Sequence, residues 1–364
     1  FSGQVVVNTM NHRKESFDTE YDAKATLDAA RHSTIHVQAV HPEDNVGTNL
    51  ADELTPLNYY TILSDEEPAS VYTNANLRSF YITQPLQINM ENDSLHMRFY
   101  SPVGIKEVTV MAKSPTMDEY VEFVYIDDIP AFADIKTSIK VLEKGLYRTE
   151  SGKVLQFSAE EMNPASLSLK IACNDPYWTK ISQIKAKWYI KFVLNGGNPV
   201  TGTPNKNWWG IRPVHCREAV ALFLNIGYMC TLEKFQQRVS TFQGTFLDNN
   251  RYPVDTSTLI SRLENLSGFD IGLIYSGNGV SGLGGGRTWG VYQKSFLYHY
   301  ENSGGCCSTI FHELGHCLGY NHNSTMTYGQ WASGCADVFY KNNIKDFPVN
   351  SHTILKSRSN PNIY

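Results

Sequence analysis

Between Pro85 and Ile171 apolar and polar residues alternate in short runs separated by turn residues. Leu86-Gln87-Ile88-Asn89-Met90 leads into the turn Glu91-Asn92-Asp93 and then into Leu95–Tyr100. Val108–Met111, Tyr120–Tyr125, Val154–Phe157 and Leu167–Ile171 repeat the pattern. Period-two alternation punctuated by turns predicts a mostly β, sandwich-like N-terminal domain of antiparallel strands. His96 falls inside one of these runs and reads as a strand residue rather than a ligand. Residues 1 to about 80 are polar, with a helix expected over Ala23–Ala30 and turns after Pro42.

The pattern changes after about residue 178. A strand is expected over Lys185–Leu194, ended by Asn195-Gly196-Gly197-Asn198-Pro199. Trp208-Trp209 follows in a polar loop and reads as packing. Pro213 suits the first turn of a helix, here running to about Gly227. His215 on that helix is not read as a ligand. Phe235–Phe242 alternates weakly. Asp255 or Thr256 caps a short helix ending near Leu263, and Phe269–Tyr275 reads as a buried strand. Thr288–Tyr292 and Phe296–Tyr300 are expected as further strands, with a last short helix after Ala336 and before Pro348. These elements predict an α+β chain of two domains, residues 1–178 and 179–364, the second built on a mixed sheet.

One glycine run imitates a cofactor motif. Gly277-Asn278-Gly279-Val280-Ser281-Gly282 spells the dinucleotide fingerprint after a strand. Leu283-Gly284-Gly285-Gly286-Arg287 follows, a run that no helix would choose. Without a helix N-terminus nothing holds a pyrophosphate, so the run reads as a flexible loop.

The chemistry lies between residues 312 and 328. His312 and His316, four apart on a helix, share one face and can chelate one ion. Glu313 sits beside the first ligand, where a carboxylate can take a proton from water. Gly319 can adopt the left-handed conformation that ends a helix, letting the chain return His322 as a third ligand. Three imidazoles leave a fourth tetrahedral position open, the arrangement of a catalytic zinc site holding one Zn²⁺.

His312, Glu313, His316, Gly319, His322 and Met326 together resemble the metzincin zinc endopeptidases, specifically over residues 312–328 and only architecturally from about residue 180. The resemblance implies that His312, His316 and His322 bind zinc and that Glu313 is the general base. It places Met326 in the Met-turn beneath the metal. Ser324-x-Met326-x-Tyr328 is similar to the astacin pattern, so Tyr328 is carried over as an extra ligand or transition-state stabiliser, or else as pocket wall. Three residues separate His322 from Met326, a tight connection more similar to small, secreted bacterial members. The resemblance also implies that Trp289, Gly290 and Val291 form the edge strand that pairs with an extended protein or peptide substrate. Residues 329–333 are expected to wall a specificity pocket. Cys173, ahead of the second domain, reads as a buried or disulfide-bonded cysteine before it reads as an inhibitory thiolate, and residues 1–178 are either a propeptide or a permanent accessory module.

Composition narrows the remaining options. The formal charge of −5 and the lack of a Lys/Arg run exclude nucleic acid as the main partner. No apolar run is long enough for a transmembrane helix. The seven cysteines are too few and too irregular for a disulfide scaffold; a single bridge from Cys306 or Cys307 to Cys335 is expected. A monomer is expected, and a secreted or cell-surface setting comes from the resemblance alone. Two other functions use the same residues: a zinc-containing surface adhesin with little or no proteolysis, which the intact Glu313 argues against, and a zinc hydrolase of non-peptide amides.

Overall fold

A computed structural model describes residues 4–5, 34–35, 37–38, 57–139, 141–301 and 306–359. The helix expected over Ala23–Ala30 lies outside the described residues. The fold is α+β, with several sheets and helices. Contacts divide the chain into two units, Phe1–Ile62 with Gln84–Ser182 and Leu63–Thr83 with Gln183–Tyr364. The sequence assigned Leu63–Thr83 to the N-terminal domain, and here the structure differs.

Among the described residues, the first unit opens with the short strands β1 (Gln4–Val5), β2 (Thr34–Ile35), β3 (Val37–Gln38), β4 (Leu57–Asn58) and β5 (Tyr60–Thr61). The chain then gives α1 (Ala69–Tyr72) and β6 (Ser79–Tyr81) to the second unit. It returns with β7 (Leu86–Glu91), β8 (Ser94–Phe99), β9 (Ile105–Lys113) and β10 (Val121–Ile129). Next come β11 (Ala133–Ser138), β12 (Lys144–Arg148), β13 (Val154–Ser158) and β14 (Ser168–Ala172). Among the described residues of this unit the pairings are antiparallel: β1-β14-β9-β10-β3 in one sheet, β5-β11-β8-β7 in another, with the pairs β12-β13 and β2-β4 apart.

Alternation located these strands because each has one apolar face. Leu86, Ile88 and Met90 of β7 are buried, but so are Gln87 and Asn89 on the opposite face. That second face carries charge. His96 on β8 bonds Asp134 of β11 at 2.7 Å and Glu91 at 2.9 Å, and Arg98 donates to Asp134 at 3.0 Å. Buried polar groups of this kind persist only when paired.

The first unit ends with α2 (Pro176–Ile181), capped by Asp175, whose Oδ1 accepts from the Tyr177 N–H at 2.9 Å. Trp178 on this helix is fully buried. The boundary therefore falls at 182/183 instead of 178/179, since a cut at Trp178 would split a capped helix. Cys173 lies just before it with its thiol donating to the Lys106 carbonyl at 3.2 Å. Burial pushes that thiol up to about 11, and Cys173 is buried and unbridged, which matches the buried-cysteine alternative.

The second unit is organised on one mixed sheet, β18-β19-β17-β15-β6, formed by β15 (Tyr189–Phe192), β17 (Gly268–Ile274), β18 (Gly282–Gly285) and β19 (Thr288–Tyr292) with β6. β15, β17 and β19 run parallel; β6 and β18 pair antiparallel at the two ends. The tryptophan pair forms β16 (Trp208–Trp209), a short strand on β17. Gly272 and Gly290 let the Trp208 ring lie against the sheet: an added Cβ would come within 2.6 and 2.4 Å of it. That is a packing role, as the sequence indicated.

Helix α3 (Pro213–Thr231) is buried over nearly its whole length, its apolar majority joined by His215, Glu218 and Asn225, which are buried with hydrogen-bond partners. Trp188, Phe223, Phe269, Trp289 and Phe296 form the core, with neighbouring ring centroids 4.8–5.9 Å apart. Two segments read as strand-like are helices: α4 (Glu233–Ser240) and, after α5 (Thr256–Glu264), α6 (Gln293–Tyr298). Phe235 and Val239 are four apart and both buried, which is helical spacing. In α6, Phe296 enters the aromatic core; a run as uniformly apolar as Phe296–Tyr300 fits either period. Helix α7 (Cys306–Cys317) carries the histidines, and a π-helical turn (Gln330–Asp337) leads into α8 (Val338–Asn343).

Candidate metal centre

Helix α7 turns Ile310, Phe311 and Leu314 into the core and so leaves His312, Glu313 and His316 on the neighbouring face. Its anchor is Trp289, whose indole N–H donates to the Ile310 carbonyl at 3.3 Å. The helix ends in a Schellman motif: Tyr320 N–H bonds the Gly315 carbonyl, Gly319 N–H bonds His316, and Gly319 has φ +94°. The chain doubles back there, as expected, and delivers His322.

The three Nε2 atoms converge. They lie 3.1 Å apart for His312–His316, 3.1 Å for His316–His322 and 3.3 Å for His312–His322. These contacts are not hydrogen bonds, because the protons of two rings are committed elsewhere. His312 Nδ1–H donates to the Thr327 carbonyl at 2.5 Å and His316 Nδ1–H to the Tyr320 carbonyl at 2.7 Å, which leaves their Nε2 lone pairs facing inward. Burial pushes His312 down to about 4 and lowers His316 as well, so both rings are neutral. Four ligands around one ion at roughly 2.0–2.1 Å would stand roughly 3.3–3.4 Å apart. The spacing and the neutral nitrogen donors fit a cation, and these three histidines form a group able to hold one. Carbonyls that orient ligating imidazoles are the usual supporting arrangement.

Glu313 is buried with Oε1 3.8 Å from His312 Nε2, and its Oε2 has no hydrogen-bond partner. Burial alone pushes this carboxyl up to about 8; a cation held by the imidazoles would favour its charged form. The glycine run explains itself here. A Cβ at Gly282 would fall 2.3 Å from Glu313 Oε1, and one at Gly284 would fall 2.5 Å from the Glu313 carbonyl oxygen. Only a glycine strand can lie this close to α7.

Met326 is fully buried, and its carbonyl abuts Gly315, where a Cβ would approach it to 2.7 Å. Tyr328 is 55% exposed, with its ring centroid 4.3 Å from His312 and 5.1 Å from His322. A cleft of about 500 Å³ is bounded by Gly279–Gly284, Ser308, Thr309, His312, Glu313, His316, His322 and Tyr328. Of residues 329–333, expected to wall a specificity pocket, Ser333 bonds Ser308 of the cleft wall at 2.9 Å.

Trp289, Gly290 and Val291 are corrected. β19 pairs with β17 on one side and β18 on the other, and all three residues are buried. Of the two strands at the ends of this sheet, β6 and β18, the one that borders the cleft is β18, the glycine segment read from sequence as a flexible loop. Cys335 is a buried thiol contacted by Arg238, and the side chains of Cys306 and Cys307, its expected bridge partners, lie outside the described residues.

Asn249 escaped the sequence reading. It accepts from the Asn321 N–H at 2.7 Å and donates to the Gly319 carbonyl at 3.0 Å, clamping the turn that presents His322. Arg251 adds a bond to the Asn323 carbonyl at 3.0 Å, and Thr325 bonds Leu247 in both directions. No local pattern marks such a clamp, because its partners are about 70 residues away. Comparison of the chain with protein-family models, with curated proteins and with solved structures finds no match.

Proposed function

We propose that the protein is a zinc-dependent endopeptidase of metzincin type that binds protein or peptide substrate in extended form along the free side of β18. The observation that carries this reading is the convergence of three inward-facing imidazole nitrogens within 3.3 Å, with a buried carboxylate beside them, in a cleft walled by an edge strand. Nitrogen donors at tetrahedral spacing favour zinc over calcium or magnesium, which take oxygen ligands.

His312, His316 and His322 hold the ion, which when bound supplies the Lewis acidity that polarises a scissile carbonyl and acidifies water. Glu313 accepts the proton of the attacking water and passes it to the departing amine. Its Oε1, 3.8 Å from His312 Nε2, is the carboxylate oxygen nearest the three imidazoles. Backbone groups of β18 hold the peptide main chain without reading its sequence. The Tyr328 hydroxyl, on a ring packed against His312, donates to the oxygen that gains charge. The Met326 backbone presses on α7 and fixes the ligand helix. The reading also places the protein outside the cell, as a secreted or surface enzyme.

The test is cleavage of a mixed peptide library by the zinc-loaded protein. Wild type should cut and bind one zinc. Glu313→Ala should keep the zinc and lose turnover, and His316→Ala should lose both. Undiminished cleavage by Glu313→Ala, or no zinc bound by wild type, would overturn the proposal.

A further inference from the structure

The second unit contains another cavity, of about 690 Å³, bordered by Trp209, Arg212, Leu273–Ser276 and the start of α6 at Gln293 and Lys294. Its volume is that of a small-ligand site. Its lining includes Arg212 and Lys294 and no carboxylate. The wall is aromatic, with Trp209 stacked on Tyr275 at 5.0 Å between centroids.

The polar groups are pre-oriented. His215 is fully buried, and its Nδ1 accepts from the Arg212 N–H at 3.2 Å. Its Nε2–H therefore donates to Gln293 Oε1, 3.1 Å away. Burial pushes His215 down to about 3, so this neutral tautomer persists. With its oxygen engaged, Gln293 offers its NH₂ group as a donor. Burial also lowers the hold of Arg212 on its proton, a cost that a bound anion would offset. The site thus combines a cation half out of solvent, a second cation at the rim, an amide donor and aromatic walls.

This cavity and the histidine cleft share one stretch of chain: Leu273–Ser276 line the first and Gly279–Gly284 the second. We propose that the cavity is a subsite for a carboxylate of the peptide bound on β18, reached where that peptide runs on past Gly282. The endopeptidase reading supplies the source of the carboxylate; the cavity's preference for an anion does not depend on it. The carboxylate belongs either to an acidic side chain or to the free C-terminus of the peptide.

The test uses the zinc-loaded enzyme and a peptide series in which Glu or Gln is placed in turn at each position around the cut, each made as C-terminal acid and amide. One position away from the cut should favour Glu by about tenfold in kcat/KM, or the acid should be favoured over the amide at one length. Lys294→Glu should bring that ratio to one or below, and Arg212→Gln should weaken it. Equal rates throughout, or a preference that survives Lys294→Glu, would overturn the proposal. If no peptide is cleaved, the endopeptidase reading fails, and calorimetric binding of the same Glu and Gln peptides decides the subsite by itself. Tighter binding of Glu peptides that Lys294→Glu abolishes supports it; equal binding overturns it.

Discussion

Gly284→Ala asks whether the glycine strand exists to let α7 approach. The added Cβ would lie 2.5 Å from the Glu313 carbonyl oxygen and 3.0 Å from its Cα. Both are backbone atoms, so no side-chain rotation relieves the contact and β18 must retreat from the helix. Overpacking of this kind costs about 1–3 kcal/mol, or roughly 2–12 °C in Tm for a unit of this size. Gly282→Ala meets a softer target, the Glu313 side chain, with Oε1 at 2.3 Å and Cγ at 2.7 Å. It should cost less stability but displace the Glu313 carboxylate, the general base of the proposed mechanism, and on that mechanism a shift of ~1 Å lowers kcat/KM about 100-fold. Gly286→Ala is the control: nothing lies within 4 Å of its added Cβ, and only its φ of +56° is penalised, at about 1 kcal/mol. Thermal denaturation and peptide hydrolysis of the three variants separate these effects. If Gly284→Ala melts with wild type, or Gly282→Ala keeps full kcat/KM, the packing argument is refuted.

Asn249→Ala removes both bonds to the turn carrying His322 and should weaken zinc binding about 10- to 100-fold, measured by chelator competition; unchanged affinity would show that the turn holds itself. Tyr328→Phe should retain zinc and lower kcat by at least about tenfold if its hydroxyl stabilises the transition state; an unchanged kcat would reduce Tyr328 to cleft wall. His96 tests the first unit through pH. Burial opposes its charge, but Asp134 and Glu91 outweigh that and raise it to about 9. Because the folded value lies above the ordinary 6.5, its stabilisation is fully present below about pH 6.5 and is lost as pH rises through 9. Stability curves of wild type and His96→Gln should differ by on the order of 3 kcal/mol near pH 6 and converge by about pH 10; a gap independent of pH would sink this account. Glu91, pulled down to about 2 chiefly by its bond to His96, contributes in the opposite sense: its share is present above its ordinary 4.5 and lost as pH falls towards 2.

Much of the site was legible because its determinants are local. A four-residue spacing places His312 and His316 on one helical face, and Gly319 ends the helix whatever surrounds it. The strands of the first unit were legible for the same reason, since alternation records one apolar face per strand. Non-local pairing was not legible. Thr288–Tyr292 and Gly282–Gly285 are both short, and nothing in either run tells which has a free side; that depends on β17, which pairs with β19 and leaves β18 outermost. Glycine composition made β18 read as a loop, whereas its glycines answer to the bulk of Glu313 pressed against them. Ser79–Tyr81 joins the second unit through pairing with β15, more than 100 residues later, and no sequence period reports such a partner. The sequence alone determined which atoms can bind a metal and which can accept a proton. Tertiary structure decided which strand faces the cleft and which distant asparagine clamps the turn carrying His322, because both depend on contacts between segments far apart in the chain.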